Sequence, residues 1–181
     1  MVLLIRSAPT TFIPTTYRLF AQIHYICAME TANETFLIGK DVWLKRLGEL
    51  SVNLYYNGHG SEGETALYPF YHEGALDRLT PETFTEALGL NPELASDVIE
   101  LFRPMTVLLQ PERACLIGSI DETMLTHCIE TINAIANRQL HSLCYMVLGL
   151  DDGSIVEHPL YLIGLTREGH IAGFRSSVIW T

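Results

Sequence analysis

The amino-acid sequence predicts an α+β fold, more specifically an α-β-α sandwich in which helices cover a mainly antiparallel sheet. Two observations support this prediction. The earlier part of the chain carries apolar residues at helical spacing, whereas the last third consists of strand-like runs separated by tight turns. Strands joined by tight turns pair antiparallel, and helices followed by such a meander pack onto the sheet.

The helices are predicted from apolar spacing and from end signals. From Asp41, apolar residues at helical spacing predict a helix that ends near Asn57. In LTPETFTEALGL, Thr80 is expected to cap a helix, Pro81 to occupy its first position and Gly89 to end it. The segment SIDETMLTHCIETINAIANRQL predicts the longest helix, with an apolar stripe formed by Leu125, Cys128, Ile129, Ile132 and Ile135.

The strands are predicted from β-type runs between turn residues. TALYPFY predicts a short strand, which Pro69 confines to a sheet edge or a bulge. LCYMVLG, PLYLIGLT and the segment that closes the chain predict three more strands, with turns at 151–153 and at 168–169. Between the helices, the segment from Val98 to Phe102 fits either a helix or a strand.

Composition narrows the class of protein. With 181 residues, 48% of them hydrophobic, the chain suits one globular domain. Asp and Glu number 21 against 11 Lys and Arg, and the net charge of -10 disfavours nucleic acid and anionic membranes but favours a basic protein partner. Because no run approaches the ~20 apolar residues of a membrane span, we expect a soluble protein. Arg6 and Pro9 interrupt the apolar start too early for a secretory signal, so we expect it to be cytoplasmic. The cysteines form no CxxC pair and are expected to be buried free thiols: Cys27, Cys115, Cys128 and Cys144.

The first part of the chain differs in composition from the rest. Its first acidic residue is Glu30, and it contains two arginines and several threonines. This composition is typical of an organellar transit peptide. Alternatively, translation begins at Met29 and the preceding residues come from an over-extended reading frame. We expect residues 1–40 to be an N-terminal extension outside the core and residues 41–181 to form the domain.

The glycine-rich segment NGHGSEGE raises the question of a cofactor site. Gly58, Gly60 and Gly63 satisfy the dinucleotide fingerprint G-x-G-x-x-G. The fingerprint requires a strand before it and a helix after it. Here a helix is predicted before the glycines and a strand after them, so no cofactor is expected.

Metal and nucleophile chemistry are also disfavoured at this segment. His59, Glu62, Glu64 and His72 have side chains that bind zinc or manganese, but their spacing matches no known ligand pattern. Ser61 lies in no G-x-S-x-G elbow. We therefore expect a binding surface and not an enzyme; a metal-dependent hydrolase that uses His59 and the nearby glutamates is the least favoured alternative.

Two segments resemble the nuclease A inhibitor family of cyanobacteria and their relatives. They are SEGETALYPFYHEGALDRLTPETFTEAL, and PLYLIGLTREGHIAGFRSSVIWT at residues 159–181. In the second, Thr166, Gly169, Ala172 and Gly173 match the family's T-x-x-G-x-x-AG turn and strand, and Thr181 matches its terminal threonine. In the first, residues 61–64 match an acidic stretch ahead of the family's first strand.

The resemblance implies a protein that occupies the active site of a sugar-nonspecific, magnesium-dependent nuclease. Glu62 would engage that site, whereas an alignment anchored on residues 68–70 would move the acidic position to Glu64 or Thr65. We expect Glu64, beside Glu62, to contribute less. Gln110 is the nearest match to a glutamine that assists in the family. Thr181 would reach the catalytic magnesium of the nuclease through its carboxylate and hydroxyl oxygens, which are ligands that magnesium prefers.

Two positions depart from the family pattern. The family has Glu before the last threonine and Lys four residues before it, where this chain has Trp180 and Ser177. These differences permit an alternative, a related protein-interaction module that no longer inhibits a nuclease. In that case Trp180 is the expected contact residue, because tryptophan is enriched at binding hot spots.

Overall fold

The computed structural model describes residues 39–90, 99–116, 122–149 and 156–180. In these ranges the chain forms three α-helices, a 3-10 turn at Pro111–Arg113 and two antiparallel sheets, which confirms the predicted α+β class. The helices are α1 (Lys40–Leu50), α2 (Pro81–Ala87) and α3 (Glu122–Gln139). The strands are β1 (Leu54–Tyr56), β2 (Thr65–Ala66), β3 (Tyr68–His72), β4 (Ile99–Pro104), β5 (Ala114–Leu116), β6 (His141–Leu148), β7 (Glu157–Leu165) and β8 (Ile171–Ile179).

The larger sheet contains five strands in the order β3-β8-β7-β6-β4. Its centre comes from the strand-like last third of the chain, and β7 pairs with β8 along its whole length. Gly169 has a φ of 82° in the turn between these two strands, a conformation that glycine adopts without steric penalty. The strand that contains Pro69, β3, lies at the edge of the sheet as predicted.

A second sheet, in the order β2-β1-β5, was not predicted. Its strand β1 occupies residues 54–56, where the first helix was expected to continue, and that part of the helix prediction is wrong. Asn53 has a φ of 61°, which breaks the helix because this region is left-handed. The spacing from Leu50 to Leu54 fits a helix, but Leu54 and Tyr56 are instead buried on alternate positions of a strand.

Helices cover both faces of the larger sheet, in agreement with the predicted sandwich. On one face, α2 buries Phe84 completely in a cluster that includes Met146 and Ile163. On the other face, α1 approaches β3 so closely that a Cβ on Gly48 would lie 3.7 Å from Pro69 Cγ. α3 contacts α1.

The end signals of α2 are confirmed, and three of the five residues of the predicted α3 stripe are buried, whereas Leu125 and Ile135 are half-buried. The Thr80 hydroxyl accepts a hydrogen bond from the Thr83 N–H at 3.3 Å, and the Thr83 hydroxyl accepts one from the Thr80 N–H at 2.9 Å. Gly89 follows α2 with a φ of 71°. In α3, Cys128, Ile129 and Ile132 are buried.

Some predictions concern residues beyond the described ranges. The undecided segment 98–102 is a strand from Ile99 onward, while residue 98 and the predicted turn at 151–153 lie outside the described residues. Residues 1–38 of the predicted extension also lie outside the described residues, so the extension remains a prediction. Cys128 and Cys144 are buried free thiols as expected, whereas Cys115 is a free thiol that is only half-buried. Cys27 is not among the described residues.

Candidate partner-binding surface

The acidic turn, residues 57–64, connects β1 to β2. His59 and Gly60 have left-handed φ values of 59° and 74°, which reverse the chain direction. The turn is closed by a hydrogen bond from the Ser61 N–H to the Gly58 carbonyl at 3.2 Å and by one from the Ser61 hydroxyl to the Gly63 carbonyl at 2.7 Å. The side chain of Glu62 is exposed, so this ordered backbone presents a carboxylate to solvent.

The last strand of the chain lies directly against the acidic turn. The Glu62 N–H donates to the Ile179 carbonyl at 2.8 Å, and the Ile179 N–H donates to the Ser61 hydroxyl oxygen at 3.0 Å. The approach is tight, because a Cβ on Gly63 would lie 2.8 Å from Ile179 Cδ1. The two segments that carry the family resemblance therefore form one continuous surface.

The ring of His59, a residue of the acidic turn, contacts three side chains. Its Nε2 contacts the Arg113 guanidinium, its Nδ1 contacts the Tyr56 hydroxyl, and its ring centre lies 3.6 Å from that of Tyr145. Arginine can only donate, so Nε2 accepts and Nδ1 carries the proton and donates to the Tyr56 oxygen. Burial of the ring, and secondarily the charge of Arg113, lower the pKa of His59 to about 4, which keeps it neutral at pH 7.

Tyr56, which contacts His59, is buried. Its side chain is 1% exposed. Burial raises the pKa of Tyr56 to about 12, and the nearby Arg113 offsets part of that rise. The carbonyl of Arg113 also accepts a hydrogen bond from the Asn57 N–H at 3.0 Å. Tyr56, Arg113 and Tyr145 were not predicted as site residues: Arg113 and Tyr145 are distant from His59 in the sequence, and Tyr56, although only three residues from His59, is part of no known motif.

Trp180 is hydrogen-bonded to the acidic turn, and its side chain is only half-buried. Its indole N–H donates to the His59 carbonyl at 3.1 Å, and its backbone N–H donates to the Val156 carbonyl at 2.9 Å. Its ring centre lies 4.9 Å from that of His158. Trp180 therefore fixes the end of the last strand beside the acidic turn. Thr181, which follows it, lies outside the described residues.

Glu64 is exposed and lies beside Cys115 of β5. Burial raises the pKa of the Cys115 thiol to about 11, and a hydrogen bond to Glu64 adds to the effect. The protonated thiol is therefore a donor to the carboxylate, and it is a poor nucleophile because the thiolate is the reactive form. Glu64 is thus part of the acidic surface and also has a contact within the chain.

Gln110 lies at the start of the 3-10 turn that carries Arg113. Its carbonyl accepts from the Arg113 N–H at 3.0 Å. Its side-chain oxygen Oε1 is buried and, within the described part of the chain, has no hydrogen-bond partner. The turn that contains Gln110 therefore borders the acidic turn through Arg113, although the amide oxygen itself points away from solvent.

The glycine fingerprint and most of the candidate metal ligands belong to the same segment of the chain. The glycine fingerprint follows a strand, β1, and not the predicted helix, but it leads into the strand β2 where the fingerprint needs a helix. Both ring nitrogens of His59 contact protein groups. Among the residues that the structure describes, no three His, Cys, Asp or Glu side chains gather to hold a metal ion, and no helix is long and apolar enough to cross a membrane.

Comparison of the chain with known protein-family models gave no match, and comparison with curated proteins gave none either.

Proposed function

We propose that this protein inhibits a magnesium-dependent, sugar-nonspecific nuclease by inserting its acidic surface into the active site of the enzyme. The observation that carries the proposal is the pairing of the acidic turn with the last strand, through Glu62 to Ile179 and Ile179 to Ser61. This pairing holds an exposed carboxylate next to the end of the chain. These are the two features that the family resemblance assigns to inhibition.

The chemistry of such an active site suits this surface. A site that binds phosphate groups and magnesium has a positive potential and attracts carboxylates, and the net charge of -10 would speed the encounter. The turn is already ordered by the Ser61 hydrogen bonds and by the contacts of His59. Binding then costs little conformational entropy, which favours a tight complex.

Thr181 would complete the block of the active site. The indole of Trp180 is held by the His59 carbonyl, and Trp180 is the residue before Thr181 in the chain. The carboxylate and hydroxyl of Thr181 are hard oxygen ligands, and magnesium accepts such ligands in place of water or substrate. In this scheme the protein acts in the cytoplasm, needs no cofactor of its own and performs no catalysis.

The decisive experiment is a titration of the protein into an assay of a magnesium-dependent, sugar-nonspecific nuclease. Stoichiometric inhibition is expected. Glu62→Gln should weaken the complex by about 2–5 kcal/mol if the carboxylate is desolvated against a positive group, and Glu64→Gln should weaken it less, as expected for a rim charge. Glu86→Gln is the matched control, because it removes an exposed carboxylate from α2.

Three outcomes would contradict parts of this scheme. If the glutamate variants and the control inhibit equally well, the acidic turn is a solvated surface and not the binding site. If the protein degrades nucleic acid by itself, the assignment as a non-enzyme fails. If no complex forms with any nuclease of this class, inhibition as a whole is refuted.

A specific observation favours the alternative function, a module that binds another protein without inhibition. The positions that carry Lys and Glu in the family are engaged inside this chain: the Ser177 hydroxyl donates to the Glu157 carboxylate, and the Trp180 indole donates to the His59 carbonyl. Neither side chain can replace the charge found in the family. A stable complex with a nuclease that remains active would support this alternative.

A further inference from the structure

Three side chains form a row across one face of the larger sheet. Arg175 on β8 is paired directly with Tyr68 on β3 and with Tyr161 on β7. Directly paired residues of antiparallel strands project from the same face, so Arg175 lies between the two tyrosines. The guanidinium carbon of Arg175 is 6.0 Å from the ring centre of Tyr68, and Tyr68 is 56% exposed.

This row lies beside an open groove with a volume of about 510 Å³. A groove of this volume is within the range of small-molecule sites. Tyr161 forms the boundary with the core, because its ring packs edge-on against Phe84 of α2 at a centre distance of 5.0 Å. The rest of the lining consists of one acidic residue, Glu157, and of polar or small residues: Thr65, Ala66, Pro159, Ser176 and Ser177.

Most hydroxyl groups of the groove are already used. The Thr65 hydroxyl donates to the Ser177 carbonyl at 2.6 Å, and the Ser177 hydroxyl donates to the Glu157 carboxylate. By contrast, among the described residues Arg175 forms no salt bridge, and the phenol hydroxyls of Tyr68 and Tyr161 form no hydrogen bond. The donors left for a ligand are therefore one guanidinium group and two phenols, placed in one row.

We propose that this groove binds a small anion that carries a planar ring, with a carboxylate or a phosphate as its charged group. The guanidinium has the planar fork that binds either group through two parallel hydrogen bonds. The exposed face of Tyr68 offers a stacking surface to a planar ring. The net charge of -10 repels a long polyanion, whereas the affinity for a small anion depends mainly on the guanidinium that it contacts.

Titration followed by NMR chemical shifts tests this proposal. The probes are benzoate and adenosine monophosphate, with benzyl alcohol and adenosine as uncharged counterparts. At least one anion should bind saturably and more tightly than its uncharged counterpart, and the preferred anion identifies the charged group. Arg175→Gln should raise the Kd about tenfold or more, since a hydrogen bond to a charged group is lost. Arg103→Gln, which removes an exposed arginine from β4, should leave the Kd unchanged.

Two results would overturn the proposal: neither anion binds saturably, or binding survives Arg175→Gln unchanged. Tyr68→Ala provides a second variant, because Tyr68 is exposed and its loss leaves the core intact; it should also weaken binding. The titration contains no nuclease, and the row contains neither Glu62 nor Glu64. Failure of this proposal is therefore distinguishable from failure of nuclease inhibition.

Discussion

Acidification should destabilise the protein through His59. In the folded chain the pKa of His59 is lowered from 6.5 to about 4, first by burial and then by Arg113. Between these values the unfolded chain binds a proton that the folded chain excludes, so stability falls as the pH falls. The stabilising contribution is complete above about pH 6.5 and is lost by about pH 4.

The size of this effect follows from the lowered pKa and from the exposure of the ring. A fall from 6.5 to about 4 corresponds to at most about 3 kcal/mol. His59 is only half-buried, and solvent screens its repulsion from Arg113, so we expect about 1–2 kcal/mol. This is a measurable part of the total stability of a small domain.

The assay is urea unfolding of the wild type and of His59→Asn at about pH 7.5 and about pH 4.5. Asparagine tolerates the left-handed φ of 59° but does not titrate. The wild type should lose about 1–2 kcal/mol more on acidification than the variant does. The other histidines are present in both proteins, so their contributions cancel in the difference. An equal loss in the two proteins would refute the role assigned to His59.

Three further predictions concern the termini and two glycines. Deletion of Thr181, or a tag added after it, should abolish nuclease inhibition and leave the unfolding temperature unchanged; full inhibition by a tagged protein would contradict this. Gly173→Ala should cost more than about 3 kcal/mol in urea unfolding, because its Cβ would lie 2.1 Å from the Leu162 carbonyl oxygen. Gly48→Ala, in the helix α1, is the matched control and should stabilise by up to about 1 kcal/mol. A chain that starts at Met29 should unfold at the same temperature as the full chain, and a large decrease would show that the preceding residues belong to the core.

The elements with strong local signals were predictable from the sequence. Thr80 and Pro81 define the start of α2, because the cap and the first helical position have chemical requirements that act within one turn. The strands of the last third follow from their β-type residues and tight turns, and Pro69 places its strand at an edge because it lacks an N–H. These are properties of neighbouring residues, so the sequence carries them directly.

Long-range pairing required the tertiary structure. The spacing of Leu50 and Leu54 fits a continued helix, but pairing with β5 makes residues 54–56 a strand. Likewise, Glu62 and Trp180 were expected to contact a partner on grounds of residue type and resemblance, while their closeness in space follows from the bond between the Glu62 N–H and the Ile179 carbonyl.

No local sequence pattern predicted that Arg113 and Tyr145 would contact His59. Arg113 meets Tyr56 and His59 because β1 and β5 pair in one register, and Arg175 lies between Tyr68 and Tyr161 because three strands align. The sequence by itself determined the fold class and the acidic character, and it indicated which residues to propose as partner contacts. Only the folded chain decided which of them are neighbours, since contacts between distant segments depend on how sheets pair and pack and not on the residues adjacent in sequence.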